Sequence, residues 1–208
     1  IMDYENPSLH NICQNGKGLT YEEAYSQILA QESKIKARID EFAAYKSFGG
    51  LHVMDEPSMD YYNTIAAAQD WWYKNYPEYE FYVNLYPSYA SDTQLYGKYA
   101  GEYTFRDYVF NFVETVNPTC ISYDHYPLQK AGLRGTVRPQ WLSDLETFAD
   151  ASKKYDLYLY FNNQALELHF ARTLQRSGMA GIQRDVLRSE RVANVPLLVV
   201  SCAGQRYE

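Results

Sequence analysis

The amino-acid sequence predicts an α/β fold in which strands and helices alternate, and three observations carry that expectation. Short apolar runs recur between longer stretches whose apolar residues repeat every three to four positions, the signatures of buried strands and amphipathic helices. Each run ends in a polar residue, at Asp55, Asn84, Asp124 and Asn162, and these ends lie 29, 40 and 38 residues apart, the length of successive strand–helix units. Three of the ends run into proline, at Pro57, Pro87 and Pro127, which lacks the amide needed to continue a ladder.

Taken in order, Thr20-x-x-Glu23 is a capping box that opens a helix. Tyr25, Ile28, Leu29, Ile35 and Ile39 supply its apolar face to about Tyr45, and Gly49-Gly50 stop it. Leu51–Met54 reads as a strand ending at Asp55-Glu56-Pro57, and Ser58 starts the next helix, through Ile65, Ala68, Trp71 and Trp72. Phe81–Leu85 is the next strand, followed by a polar loop over Ser88–Gly101 and a helix from Tyr103 to Val116 with Tyr108, Phe112 and Val116 on one side. Cys120–Tyr123 is a strand ending in Asp124-His125-Tyr126-Pro127. Pro139 opens a helix through Trp141, Leu145 and Phe148, and Leu157–Phe161 is a strand ending in Asn162-Asn163-Gln164. Apolar and aromatic residues at helical spacing, such as Tyr61, Ile65, Ala68 and Trp72, read as core.

Composition narrows the class. The 208 residues carry a net charge of −7 and 22 tyrosines, a ring content that suits a packed core and excludes disorder. The acidic balance gives no bias toward nucleic acid, and no apolar run reaches the length of a membrane span. Cys13, Cys120 and Cys202 are widely spaced and suggest neither a zinc site nor a disulfide framework, so they read as small apolar residues. No ligand spacing among His52, Asp55, Asp124 and His125 demands a metal, and no cofactor is expected. Compartment and oligomeric state are left open.

The chain changes character near residue 168. Residues 1–167 hold 21 of the 22 tyrosines and all nine lysines, whereas 168–208 hold six of the ten arginines, no lysine and three acidic residues. Two readings of this tail stand side by side: a basic C-terminal segment, or the remainder of the same domain translated out of frame. Dropping one base from the codons of Met179-Ala180 forces a tryptophan, and the shifted frame admits a run GLQTFLYW with the tyrosine-rich, strand-like character of the first 167 residues.

Two architectures share this strand–helix order, the doubly wound sheet and the β/α barrel. A doubly wound nucleotide fold places a glycine-rich turn after a strand, and neither G-x-G-x-x-G nor G-x-x-x-x-G-K is present. The strand ends instead offer carboxylates, amides and phenols, which suit a neutral polyhydroxylated ligand and favour the barrel.

Leu51-His52-Val53-Met54-Asp55-Glu56-Pro57, Asn84-Leu85-Tyr86-Pro87 and Ile121-Ser122-Tyr123-Asp124-His125-Tyr126-Pro127 resemble the strand ends of TIM-barrel glycoside hydrolases, of the β-galactosidase-like bacterial group related to clan A. The resemblance covers about residues 3–167. It implies a (β/α)8 barrel of which this chain is an incomplete part, about the last four to five strand–helix units, in a protein acting on an oligo- or polysaccharide. It also implies an acid/base glutamate at the fourth barrel strand, which carries over onto Glu56, and a carboxylate nucleophile at the seventh. There the chain has Asn162, Asn163 and Gln164, and Gln164 cannot act as a nucleophile; Glu167 and Asp124 are the candidates for a second carboxylate.

Glycoside hydrolysis needs one protonated carboxyl group and one ionised one. Adjacent Asp55 and Glu56 suit that division poorly if both lie on an extended strand, where neighbours point to opposite faces. Glu56 is therefore the expected acid, with Asp55, Asn84, Tyr86, Asp124, His125, Tyr126, Asn162 and Gln164 expected to bind sugar. For Asp55 and Glu56 the alternative is a helix-capping role, and for Asp124 and His125 a loop-anchoring one. A carbohydrate-binding barrel without catalysis is the alternative for the whole chain.

Overall fold

A computed structural model of the chain describes residues 1–129, 136–164 and 197–202, with side chains described for 1–127 and 138–160. The chain forms two units, Ile1–Tyr86 with Ala90–Pro118, and Pro87–Tyr89 with the chain from Thr119 onward. Each sets α-helices beside parallel strands, the α/β class predicted from sequence.

In the first unit α1 (Leu9–Asn15) opens at Ser8, whose hydroxyl accepts from the Asn11 amide. Helix α2 (Tyr21–Ala43) starts at the expected capping box: the Thr20 amide donates to Glu23 at 2.9 Å, and the Glu23 amide to the Thr20 hydroxyl at 3.2 Å. Its buried stripe is Ala24, Ile28, Ile35 and Ile39. Leu29 is exposed and Tyr25 only half-buried, because each sits one residue, or about 100° of helix, away from that stripe.

Strand β1 (Gly50–Asp55) pairs in parallel with β2 (Glu80–Leu85) through helix α3 (Tyr62–Asn75). Gly50 lies against the backbone of Glu80, where a Cβ would collide, and has a φ of 147°, so only glycine fits. The helix predicted from Ser58 begins as a 3-10 turn over Met59–Tyr61. Where a polar loop was expected, α4 (Asp92–Tyr96) forms on a second capping box, Ser91 with Gln94. Helix α5 (Phe105–Val116) follows on a third, Thr104 with Asp107, and stops at Asn117 in the left-handed region with φ 53°.

Ile28 and Ile35 of α2, Ile65, Trp71 and Trp72 of α3, and Tyr108 and Phe112 of α5 are almost fully buried, with Val53 and Leu85 of the strands. Each such side chain contributes about 1.5–3 kcal/mol by leaving water. The indole nitrogens of Trp71 and Trp72 are satisfied: Trp71 donates to Glu32 at 3.0 Å and Trp72 to the Tyr79 carbonyl at 2.8 Å.

In the second unit β3 (Cys120–His125), β6 (Tyr158–Gln164) and β7 (Leu197–Cys202) pair in parallel, β6 between the other two. A two-residue antiparallel pair, β4 (Leu128–Gln129) and β5 (Thr136–Val137), precedes α6 (Gln140–Tyr155). The Tyr123 ring of β3 stacks on Phe148 of α6 at 3.9 Å. Helix α6 ends at Asp156 with φ 54°, and Ser152 donates to the Leu157 carbonyl at 2.6 Å. Strand β7 comes from the compositionally distinct segment after residue 168. Cys13 and Cys120 are buried, as apolar residues would be, and burial pushes the Cys13 thiol up to about 12. Among the described residues no helix is long and apolar enough to cross a membrane.

Candidate functional site

The ends of β1 and β2 form a polar site, and a bulge in β1 sets it up. Gly50 pairs with Glu80 and His52 with Tyr82, but the register shifts between His52 and Met54, so that Met54 meets Val83 and Asp55 meets Asn84. Without the shift Asn84 would stand opposite Met54. The extra residue is Val53, whose carbonyl accepts from Nδ1 of buried His10 in α1 at 2.9 Å. The bulge thus brings two polar strand ends together, and the Asn84 side-chain amide donates to Asp55 Oδ1 at 3.1 Å.

Glu56 leaves the strand with a φ of 49°, a left-handed conformation rare for a residue with a Cβ and disfavoured before proline. Its amide still donates to the Asn84 carbonyl at 2.7 Å, so the ladder continues while the chain turns. The consequence corrects the expectation that Asp55 and Glu56 face opposite ways: both line one open cavity of about 300 Å³. Strain of about 1–3 kcal/mol held at such a position needs the surrounding structure to impose it.

Tyr86 lines the same cavity. Its phenol is held above the ordinary tyrosine range, first by burial and then by the negative charge of Glu56, while a hydrogen bond with Gln94 pulls the other way. The cavity also takes in residues with no local sequence signal, namely Gln14 and Lys17 before α2, and Thr93 and Gln94 of α4. Tyr61, read from its spacing as core, lines the cavity too, because the 3-10 turn takes it out of the α-helical register. Ser58 lines it as well, buried, with no hydrogen-bond partner for its hydroxyl among the described residues.

Beneath Lys17 lies Asp60, buried, 3.7 Å from the ammonium and accepting from the Lys98 amide at 3.2 Å. Within β1 itself, His52 bonds the Met54 carbonyl at 3.1 Å and lies 3.9 Å from Asp55. Burial lowers the pKa of His52, partly offset by the charge of Asp55.

The other predicted residues belong to the second unit. Asp124 and His125 end β3, in register with Asn162 and Asn163 of β6, and Gln164 pairs with Cys202. His125 is fully buried, 3.4 Å from the buried carboxylate of Asp144 and edge-on to the Tyr89 ring, so it sits in packing rather than on a surface. Asp144 also accepts from the Ser88 amide at 2.9 Å. Tyr126 is half exposed; its amide donates to the Tyr89 hydroxyl at 3.3 Å, and Arg138, which lies over the Tyr89 ring, donates to its carbonyl at 3.0 Å. Glu167 lies outside the described residues.

The fold and this site define an α/β protein with a polar, carboxylate-bearing cavity at the C-terminal ends of parallel strands, the edge at which such folds take ligands. Comparison with protein-family models, with curated proteins and with solved structures finds no match.

Proposed function

We propose that the chain is part of a (β/α)8 glycoside hydrolase that cleaves O-glycosidic bonds, with Glu56 as its general acid. The observation that carries this reading is the left-handed turn at Glu56, which puts its carboxyl beside the Tyr86 phenol over a cavity shared with Asp55. In the reaction the protonated carboxyl of Glu56 donates to the departing sugar oxygen as the C–O bond breaks. Tyr86 offers its ring to the apolar face of a pyranose and its hydroxyl to a sugar hydroxyl. Asp55 binds a sugar hydroxyl, and Asn84, buried and outside the cavity lining, holds that carboxylate through its amide instead of binding sugar itself. In this reading the glycosyl group passes to water with the help of a second, ionised carboxylate; the candidates from the sequence, Asp124 and Glu167, both belong to the other unit.

The test is Glu56→Gln in the full natural chain. Turnover of unactivated glycosides should fall by about 10²–10⁴-fold with folding intact; turnover equal to wild type would refute the assignment. A second reading, sugar binding without hydrolysis, is favoured by Gln164 at the strand end where the resemblance calls for a carboxylate. Sugar binding with no hydrolysis by the wild-type protein would select it.

A further inference from the structure

We infer that Tyr108 of α5 is the positioning residue of this site, its hydroxyl fixing the Glu56–Pro57 turn against the end of β2; the catalytic consequence rests on the function proposed above. The Tyr108 hydroxyl donates to the Pro57 carbonyl at 2.7 Å and accepts from the Tyr86 amide at 3.2 Å. A phenol has one proton to give and lone pairs to receive, so it satisfies both backbone groups at once. Pro57 follows Glu56 directly, and Tyr86 carries the phenol that faces the Glu56 charge. One oxygen therefore joins the two chain segments whose spacing decides where the acid sits relative to the ligand.

The side chain is well placed for this. Tyr108 is fully buried, its ring stacks with Phe105 at 6.0 Å, and its own carbonyl accepts from the Tyr62 hydroxyl at 3.1 Å. Burial raises its pKa well above the ordinary range, so the hydroxyl keeps its proton and remains a donor to Pro57. Phenylalanine would fill the same space but leave a carbonyl and an amide without their partner. Tyr108 does not itself line the cavity, and acts through Pro57 and Tyr86.

The experiment compares wild type, Tyr108→Phe and Gln69→Met in the full natural chain. Gln69 donates to the Val116 and Asn117 carbonyls at the far end of α5, so its loss weakens the fold without touching the strand ends. Two readouts are taken: amide hydrogen exchange at Tyr86, and kcat and KM on a panel of alkyl glycosides, whose leaving groups need protonation. Tyr108→Phe should speed exchange at Tyr86 at least tenfold and lower kcat at least tenfold, with KM within threefold of wild type. Gln69→Met should leave both readouts near wild type at a comparable loss of thermal stability.

Unchanged Tyr86 exchange in Tyr108→Phe, or equal kcat losses in the two variants, would overturn the inference. Should wild type turn over no glycoside, the hydrolase reading falls, and Tyr86 exchange still decides the role of Tyr108. Should Tyr108→Phe not fold, the wild-type protein decides: a slowly exchanging Tyr108 hydroxyl proton close to the Tyr86 amide in NMR spectra supports the inference, and its absence overturns it.

Discussion

Asp55 and Asn84 stand opposite each other at the ends of two parallel strands, and the amide of one donates to the carboxylate of the other at 3.1 Å. The pairing depends on the β1 bulge, which shifts the register by one residue just before the site. Asn84 is buried while Asp55 faces the cavity, so the amide fixes the carboxylate from beneath.

Asn84→Asp would set a second carboxylate about 3 Å from the first, replacing a donor by a like charge. Stability near pH 7 should fall by about 1–3 kcal/mol. The introduced acid would have its pKa raised by its neighbour, so the deficit should shrink as pH drops below that raised value. Urea denaturation at several pH values measures this, and a deficit independent of pH would contradict the pairing.

The left-handed turn at Glu56 makes a prediction of its own. Between two variants that both lack the carboxylate, Glu56→Gly should be more stable than Glu56→Ala by about 1 kcal/mol, because only glycine takes a positive φ without a Cβ penalty. Equal stability, or a more stable alanine variant, would show ordinary backbone geometry there.

His10 carries the bulge. His10→Phe keeps an aromatic ring in place but leaves the buried Val53 carbonyl without its donor, and should cost about 1–3 kcal/mol in thermal or chemical unfolding. A loss much below that range would mean the bulge stands without His10.

His52 gives the fold a pH dependence of known sign. Burial lowers its pKa, so the unfolded chain takes up the proton first as pH falls through about 6.5. Stability conferred by neutral His52 is fully present above that pH and is lost as pH drops toward the lowered folded value. His52→Gln should flatten this part of the stability profile between about pH 7 and pH 5. A profile unchanged by the substitution would contradict the assignment.

Much of this was legible in the sequence because it is local. Thr20-x-x-Glu23 predicted the start of α2, and the polar residues after each apolar run marked the strand ends, of which Asp55 and Tyr86 line the cavity while Asn84 lies buried against Asp55. What was missed is either short or non-local. Helix α4 is five residues long, and its Ser91–Gln94 box sits in a polar stretch whose composition predicts a loop. The spacing of Tyr61 predicts core because a 3-10 turn ahead of α3 cannot be told from a helix by periodicity. Gln14, in the last turn of α1, and Lys17, in the loop after it, reach the site from about 40 residues before Glu56, and only tertiary packing brings them there. The bulge left no mark in the sequence, since Val53 and Met54 read equally well as one continuous buried strand.

The most direct test of Glu56 as a proton donor is the dependence of its loss on the leaving group. In Glu56→Gln, hydrolysis of alkyl glycosides, which need protonation, should drop by about 10²–10⁴-fold, while dinitrophenyl glycosides, whose leaving group departs as an anion, should lose little. Equal losses on both substrates, or no loss on either, would contradict the account.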